Sequence, residues 1–426
     1  MNTLARKFLG RLIQVGELTV IDHTGAATVF RGATPGRKSA IRLHDRKLAF
    51  EMAIRPRLAV GEAYMDGRLT IEEGTLYDFL DLAVSNLALL NHQESRLGRL
   101  VRRSATGLDR YNPAGRAPKN VAHHYDLSDE LFDLFLDSDR QYSCAYYRSP
   151  DDSLEAAQDQ KKRHIAAKLM LRPGQRVLDI GCGWGGMALY LATVEDVEVT
   201  GVTLSREQHA VATRRAREAG LDHRVTFKLQ DYRLETGPYD RIVSVGMFEH
   251  VGNLHYREFF SKVHDLLTPD GIALLHTIGC ADPPGPVASW IRKYIFPGGY
   301  LPSLSEMVPH MEQLGLWLND FESLRTHYAE TLKDWNERFQ AHRGHVRDNL
   351  YDERFCRMWE FYLQACEANF RKSWLTVFQL QLSRSMDAVP YTRDYMFDWE
   401  RQSPPATAIA PPNRGAQPEE QVSAGD

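Results

Sequence analysis

The chain has 426 residues, 43% apolar and 25% charged, the balance of a folded protein of two or three domains rather than a disordered one. No run of about 18 apolar residues occurs, which argues against a membrane-spanning helix, and residues 1–16 lack the long apolar core and cleavage-like site of a secretion signal. The net charge of −4 hides an asymmetry: residues 1–120 carry 19 Lys and Arg against 12 Asp and Glu, whereas the remainder carries 33 against 44. A basic N-terminal third suits an anionic lipid surface or nucleic acid, or is simply a solvated basic face. Basic residues and aromatics do not alternate as a base-stacking platform requires, so no nucleic-acid partner is expected. The five cysteines (Cys144, Cys182, Cys280, Cys356, Cys366) are odd in number and form no Cys-x-x-Cys pair. That favours a reducing cytoplasm and argues against a metal site.

In chain order, the first hundred residues mix strand-like runs at 17–22 and 27–31 with a helical pattern at 76–90, and residues 61–67, with a glycine at each end, read as a turn-rich segment. Residues 104–120 combine glycine and proline with few apolar anchors, so a linker is expected there, separating an N-terminal domain (1–103) from a second domain (121–400). From about 170 strands and helices alternate: strands at 176–180, 197–203, 225–229, 241–245 and 272–276, with helices between them, including 206–219 and 256–267. Such alternation predicts a parallel sheet with helices on both faces and ligands at the carboxyl ends of its strands. After 284 the chain reads as mostly helical, at 305–313, 329–342 and 353–385, and the Pro-, Ala- and Glu-rich residues 401–426 read as a disordered tail.

The stretch Asp179-Ile180-Gly181-Cys182-Gly183-Trp184-Gly185-Gly186 is a glycine turn between a strand and a helix, which brings backbone N–H groups close to a ligand. An acid two residues before the first glycine suits S-adenosylmethionine, whose ammonium group needs a carboxylate. The same letters also satisfy the dinucleotide fingerprint Gly-x-Gly-x-x-Gly. A dinucleotide enzyme places an acid at the tip of the second strand to hold the ribose; here the tip is Thr203-Leu204-Ser205, followed by Gln208. The hydroxyls of Thr203 and Ser205 and the Gln208 amide are candidates for that hydrogen bonding. At the third strand, Asp231 and Tyr232 suit the amine and the face of adenine, although Asp231 also suits a loop cap.

At this point the chain resembles the cyclopropane-fatty-acyl-phospholipid synthases and, more broadly, the mycolic-acid cyclopropane synthase superfamily of S-adenosylmethionine-dependent methyltransferases. The resemblance is carried by His123-His124-Tyr125-Asp126-Leu127-Ser128, Gln141-Tyr142-Ser143-Cys144-Ala145-Tyr146, the glycine turn, Gly246-Met247-Phe248-Glu249-His250-Val251-Gly252, Leu275-His276-Thr277-Ile278-Gly279 and Lys293-Tyr294-Ile295-Phe296-Pro297-Gly298-Gly299. The segment 61–67 extends it into the N-terminal domain and favours the phospholipid-acting branch. The resemblance implies an α/β fold, a Rossmann-like class I methyltransferase doubly wound sheet with extra helices, beside a smaller N-terminal α+β domain that binds lipid or membrane.

It further implies transfer of a methylene group from S-adenosylmethionine to the cis double bond of an unsaturated phospholipid acyl chain, with a bound bicarbonate ion as base. The residues carried over onto that ion are Cys144, Glu249, His276, Ile278 through its backbone N–H, and Tyr328. Glu249 accepts its O–H, and His276, Tyr328 and Ile278 donate to its oxygens. Aromatics near these motifs that suit a cationic intermediate are Tyr142, Tyr146, Phe248, Phe296 and Tyr300. Each proposed contact has a plainer alternative: Glu249 as a helix cap, His276 and Tyr328 as core residues, Cys144 as a small buried hydrophobe. A cysteine at the place of Cys366 has been suspected as a nucleophile in the family, but the chemistry has no covalent step that needs a thiolate, so packing near the acyl channel is the preferred reading. Tyr125, Tyr142 and Ser143 are expected to touch the cofactor, with residues 121–147 covering it. The alternatives are a methyl- or methylene-branching fatty-acid methyltransferase, a small-molecule methyltransferase and a non-catalytic lipid-binding module. Membrane contact is expected to be peripheral, and a homodimer would present two sites to one bilayer.

Overall fold

The computed structural model describes residues 3–93, 127–285 and 287–402. The expected linker at 104–120, Tyr125 and the tail from 403 onward lie outside these residues.

The N-terminal part runs α1 (Thr3–Leu12), β1 (Val15–Ile21), β2 (Ala27–Arg31), β3 (Thr34–Leu43), α2 (Leu48–Ile54), α3 (Pro56–Met65), β4 (Leu69–Glu73) and α4 (Leu76–Gln93). Its strands form one sheet in the order β2-β1-β3-β4, parallel only between β1 and β3. Burial along β1 has the period of two expected of a strand with one covered face. The reading of 61–67 as turn-rich does not hold. Proline at the first turn is compatible with a helix, and α3 continues through Met65. Gly61 sits within α3 because the indole of Trp290 packs onto it; a Cβ there would lie 2.5 Å from the ring.

The second part runs α5 (Asp129–Phe135), α6 (Leu154–Leu169), β5 (Arg176–Ile180), α7 (Gly186–Val194), β6 (Glu198–Thr203), α8 (Arg206–Glu218), β7 (Val225–Leu229), β8 (Tyr239–Val245), α9 (Tyr256–Leu266), β9 (Leu267–Cys280), α10 (Ser289–Tyr294), α11 (Leu304–Gln313), β10 (Trp317–Ser323), α12 (His327–His345), α13 (Glu353–Lys372), β11 (Leu375–Ser383) and α14 (Asp394–Gln402). Seven strands form one sheet in the order β10-β11-β9-β8-β5-β6-β7. The five expected strands are its parallel part, β5 to β9. The chain leaves β5 toward β6 and β7 and returns on the other side to β8 and β9, so the switch point, and with it the crevice for ligands, lies between β5 and β8.

The expected helix 353–385 is corrected. It ends at Lys372, and residues 375–383 form β11, inserted antiparallel between β9 and β10. The run Phe378-Gln379-Leu380-Gln381-Leu382-Ser383 alternates apolar and polar with the period of two of a strand, and both of its faces are buried, so its polar residues lie inside the protein and not on a helix surface. Strand β10, placed between the helical patterns, was not expected either.

Leu178, Ile180 and Leu275 pack on one face of the large sheet, and Val177, Val199 and Leu189 on the other. A third cluster joins α1 to α4 with α5, α12 and α13, so the small sheet and the helical layer share a core. Tyr64 donates to Glu360 at 2.5 Å and Lys293 to Glu62 at 2.6 Å across this contact.

Residues 137–145, which lead into the site, are tied down by buried charge. Asp139 accepts from Lys162 at 2.9 Å, from Gln141 at 3.0 Å and from Arg215, and Arg215 also donates to the Trp184 carbonyl at 2.8 Å. Burial alone raises the Asp139 carboxyl, but the two cations outweigh it and hold the group well below the usual carboxylate range. Arg215 is 1% exposed, so removing it strands a buried carboxylate. Arg215→Leu is expected to lose about 3–5 kcal/mol of unfolding free energy. Urea unfolding measures this, and a loss below about 1 kcal/mol would refute the clamp.

Candidate active site

Two cavities open at the carboxyl ends of the parallel strands. The first, of about 170 Å³, is lined by Asp179, Gly181, Gly183, Thr203, Leu204, Gln208, Asp231 and Tyr232, together with Tyr142 and Ser143. Burial pushes the Asp179 carboxyl up to about 7, and its Oδ2 has no hydrogen-bond partner among the described residues, which leaves an acceptor for an ammonium group. Thr203 Oγ1 donates to Gln208 Oε1 at 3.1 Å, which leaves the Gln208 amide N–H side for a ligand. Asp231 is gripped by Arg233 at 2.9 Å and 2.5 Å and caps the single turn that begins at Tyr232. Burial raises the Asp231 carboxyl, but Arg233 more than offsets this and keeps it below its ordinary value.

Two expected cofactor contacts are not in this lining. Gly185 has φ +84° at the start of α7, and a Cβ there would lie 2.7 Å from the Phe227 ring, so this glycine serves helix entry and packing. The Ser205 hydroxyl caps α8, accepting from Gln208 N at 3.2 Å and donating to Glu207 at 3.0 Å.

The second cavity, of about 430 Å³, is mainly apolar. It is walled by Leu9 and Leu12 of α1, Val60 of α3, Phe79, Leu80 and Leu87 of α4, and Phe361 and Phe370 of α13. Cys144, Glu249, His276, Ile278, Tyr328 and Cys366 all line it. Tyr142, Ser143, Gly246 and His250 line both cavities and so mark where they meet.

Glu249 and His276 bring opposite hydrogen-bonding characters to this junction. Burial pushes the Glu249 carboxyl up to about 7, against the Ile278 N–H, which donates to its Oε1 at 2.5 Å. Its Oε2 is buried without a hydrogen-bond partner among the described residues. Burial, with Lys161 and Lys168 nearby, drives His276 well below its usual value, so the ring is neutral; its Nε2 is likewise buried and unpartnered. A small ion that both donates and accepts hydrogen bonds fits these two atoms. The Ile278 N–H, expected to face such an ion, is instead engaged by Glu249. The Cys144 thiol donates to the Ala145 carbonyl at 3.3 Å, and burial raises its pKa strongly; burial pushes Cys366 up to about 12. Neither is a thiolate at neutral pH. Tyr328 is raised well above its usual value by burial, so its phenol keeps its proton.

Of the aromatics singled out in the sequence, Tyr142 and Phe296 reach the apolar cavity. Tyr146 stacks between His164 and His327, and Phe248 and Tyr300 lie in the core beneath. Residues missed in the sequence include His250, buried and held near pKa 4 by desolvation, and Lys161. Lys161 donates to Gln141 at 2.7 Å and to Ser143 at 2.9 Å, and so sets the loop between the cavities. Lys161 and Lys162 are both buried, which no local pattern in the sequence marks.

A sheet of this order, with an acid and glycine turn at the end of β5, defines an S-adenosylmethionine-dependent methyltransferase. Residues 114–380 match the family described as mycolic acid cyclopropane synthetase, and the chain belongs to that family. It is 43% identical over 330 residues to the cyclopropane-fatty-acyl-phospholipid synthase of Escherichia coli (strain K12), covering 78% of this chain and 84% of the relative. The tuberculostearic acid methyltransferase UfaA1 of Mycobacterium tuberculosis is 35% identical over 404 residues, covering 89% and 91%. The crystal structure of the mycolic acid cyclopropane synthase CmaA1 complexed with SAH and CTAB superposes with a TM-score of 0.59 at 35% identity, over 64% of this chain and 99% of that one. Coclaurine N-methyltransferase, at 20% identity and a TM-score of 0.64 over 76% of this chain and 98% of that one, shares the fold.

The raised pKa of Glu249 carries a stability consequence. Its value rises from 4.5 in the open chain to about 7, so the folded state holds a proton that the unfolded state releases between these values. Stability is therefore lost as pH rises from about 4.5 to 7, and the full penalty applies above it. Glu249→Gln removes that penalty, about 3 kcal/mol. Thermal unfolding across pH is expected to show this variant stabilised at pH 8 and equal to the parent at pH 4; equal stability at both would contradict the raised value.

Proposed function

We propose that the enzyme transfers a methylene group from S-adenosylmethionine to the cis double bond of an unsaturated phospholipid acyl chain, forming a cyclopropane ring, with bicarbonate bound beside Glu249 and His276. The observation that carries this reading is the meeting of a polar cavity and an apolar one at Tyr142, Ser143, Gly246 and His250, with Glu249 and His276 on the apolar side.

An alkene is a weak nucleophile, so the sulfonium methyl must be held in line with it, away from water. The wall shared by the two cavities does this. As the methyl carbon bonds to one alkene carbon its bond to sulfur breaks, S-adenosylhomocysteine forms, and the other alkene carbon is left cationic. Loss of a proton from the transferred methyl then lets its electron pair close the ring. Bicarbonate supplies the base when bound. Glu249 Oε2 would accept from that ion and His276 Nε2 would donate to it, which suits an ion carrying both an O–H and acceptor oxygens. The faces of Tyr142, Tyr328 and Phe296 lie on the same cavity and suit a cation.

A membrane substrate needs a path. Leu4 and Phe8 fall on one face of α1, four residues apart; Leu4 is about half exposed, while Phe8, Leu9 and Leu12 line the apolar cavity. Phe50 and Ile54 of α2 are similarly exposed, and Lys7, Lys47, Arg55 and Arg57 stand exposed around them. This edge is a ramp from an anionic bilayer into the cavity, and it is the role assigned to the N-terminal domain. A methyl- or methylene-branched product is the second reading, favoured by the long match to UfaA1.

Incubation with S-adenosylmethionine and liposomes of unsaturated phospholipid, followed by mass spectrometry of the fatty acids, is expected to show a gain of CH₂ with a ring. Glu249→Gln is expected to lose roughly 100-fold or more in kcat; full activity would remove the anion site from the mechanism. A methyl branch would carry two further hydrogens, and a methylene branch would keep an alkene on hydrogenation tests. Phe50→Ser with Ile54→Ser is expected to weaken liposome binding at every salt concentration. Arg55→Glu with Arg57→Glu should weaken it mainly at low salt and with anionic lipid, by about 1 kcal/mol per charge removed. Co-sedimentation indifferent to both pairs would refute the ramp.

A further inference from the structure

His276 enters the site from β9, and its other ring nitrogen meets a residue whose orientation is already decided. Gln379 stands directly opposite on β11 in register with His276, and neither is more than 2% exposed. The Gln379 side chain lies between two partners: His276 Nδ1 at 3.1 Å and the Lys168 ammonium at 2.8 Å. An ammonium only donates, so the amide oxygen must face Lys168 and the amide N–H must face His276. Nδ1 is therefore an acceptor and carries no proton. The ring proton then resides on Nε2, the buried atom without a partner that lines the cavity with Glu249. Lys168 is itself fixed: it is 1% exposed, donates to Glu322 and lies 3.9 Å from Asp320. Glu322 is also bonded at 2.7 Å by His164, whose second nitrogen meets Glu400 of α14 at 2.5 Å. The reaction proposed above makes no direct use of Lys168 or Gln379, yet both are buried and polar, an arrangement that costs stability unless fully satisfied.

We propose that Gln379 and Lys168 are positioning residues that hold His276 as its Nε2–H tautomer, so that a hydrogen-bond donor and not an acceptor faces the anion site. The residue that decides which nitrogen carries the proton is the partner of the other one. A site with the wrong tautomer keeps its shape but presents a lone pair to an anion, and that loss falls on turnover and not on binding of S-adenosylmethionine in the neighbouring cavity. The kinetic part of this inference rests on the proposed reaction. The tautomer is a property of the ligand-free protein and is tested separately.

Full-length protein labelled with ¹⁵N in histidine reports the tautomer through long-range ¹H–¹⁵N correlation, with His276 assigned by its loss in His276→Asn. The parent is expected to carry the proton on Nε2. In Gln379→Glu a carboxylate oxygen replaces the amide N–H opposite Nδ1, so the proton is expected to move to Nδ1. The kcat should then fall by roughly 100-fold with the KM for S-adenosylmethionine unchanged. Lys168→Met frees the amide to turn and is expected to give mixed tautomers and an intermediate loss, whereas Lys168→Arg keeps a donor and restores both. If Gln379→Glu does not fold, the Lys168 pair carries the test. A parent with the proton on Nδ1 overturns the inference, as does a reversed tautomer with full kcat. Absence of any alkylated lipid from the parent, with Nε2–H observed, would refute the proposed reaction while leaving the tautomer assignment standing.

Discussion

The rest of the site depends on the burial of Asp139. Its carboxylate holds Lys162 and Arg215, and Arg215 in turn holds the Trp184 carbonyl of the glycine turn. Four separate pieces of chain, the loop before α6, α6 itself, the turn after β5 and the helix α8, are thereby fixed to one charge. Buried ion pairs contribute little net stability, because the cost of desolvation roughly cancels the attraction. What they supply is position: a displaced carboxylate would leave two cations unpaired in a dry interior. Tyr142 and Ser143 follow Asp139 by a few residues and form the wall between the two cavities. Within the segment 121–147 that is expected to cover the cofactor, the described residues around Asp139 are tied to the sheet.

Desolvation then sets the proton on nearly every group facing the apolar cavity. Cys144, Cys366 and Tyr328 keep their protons, His276 and His250 stay neutral, and the carboxyl of Glu249 is shifted to the physiological range. Lys161 stands close to this wall. Burial lowers it to about 8, while Asp137 and Asp139 pull it upward. The interior is thus electrically quiet on the lipid side and charged just behind it.

Much of this was legible in the sequence because it is local. Strand β5, its acid and its glycines follow one another directly, and the residues that line the first cavity lie at strand ends that periodicity locates. Glu249 and His276 belong to short runs that end β8 and sit within β9. What stayed hidden is set by packing. Residues 378–383 do alternate apolar and polar as a strand does, but they follow a long helical pattern directly, and that Gln379 and Gln381 are interior is set by the strands on either side. Lys161 and Lys168 have the spacing of solvated lysines, and only the sheet placed against α6 makes them interior. Gly185 and Ser205 fit the cofactor pattern by letter, but the Phe227 ring and the start of α8 claim them. The apolar cavity is assembled from α1, α3, α4 and α13, elements far apart in the chain, and no local pattern announces it.

The same burial bears on the fate of a carbocation. In the proposed reaction a cationic acyl chain is captured by whichever electron pair it meets first, and Cys144, Cys366, Tyr328 and Glu249 all line the cavity. Burial keeps the two thiols and the phenol protonated and poor nucleophiles, so capture by them is suppressed, and it leaves Glu249 about half protonated near pH 7. That protection also removes the protein's own bases: a thiol, a phenol and a half-protonated carboxyl are ill placed to take a proton from a methyl group. On the proposed reaction, a site that disarms its own nucleophiles in this way borrows its base. Glu249 Oε2 and His276 Nε2, both buried without a hydrogen-bond partner among the described residues and on residues that line this cavity, would then supply the acceptor and the donor that such a base needs. On the proposed reaction, the cysteines matter for staying inert, and specificity for a lipid alkene would reside in the dryness of the cavity as much as in any single contact.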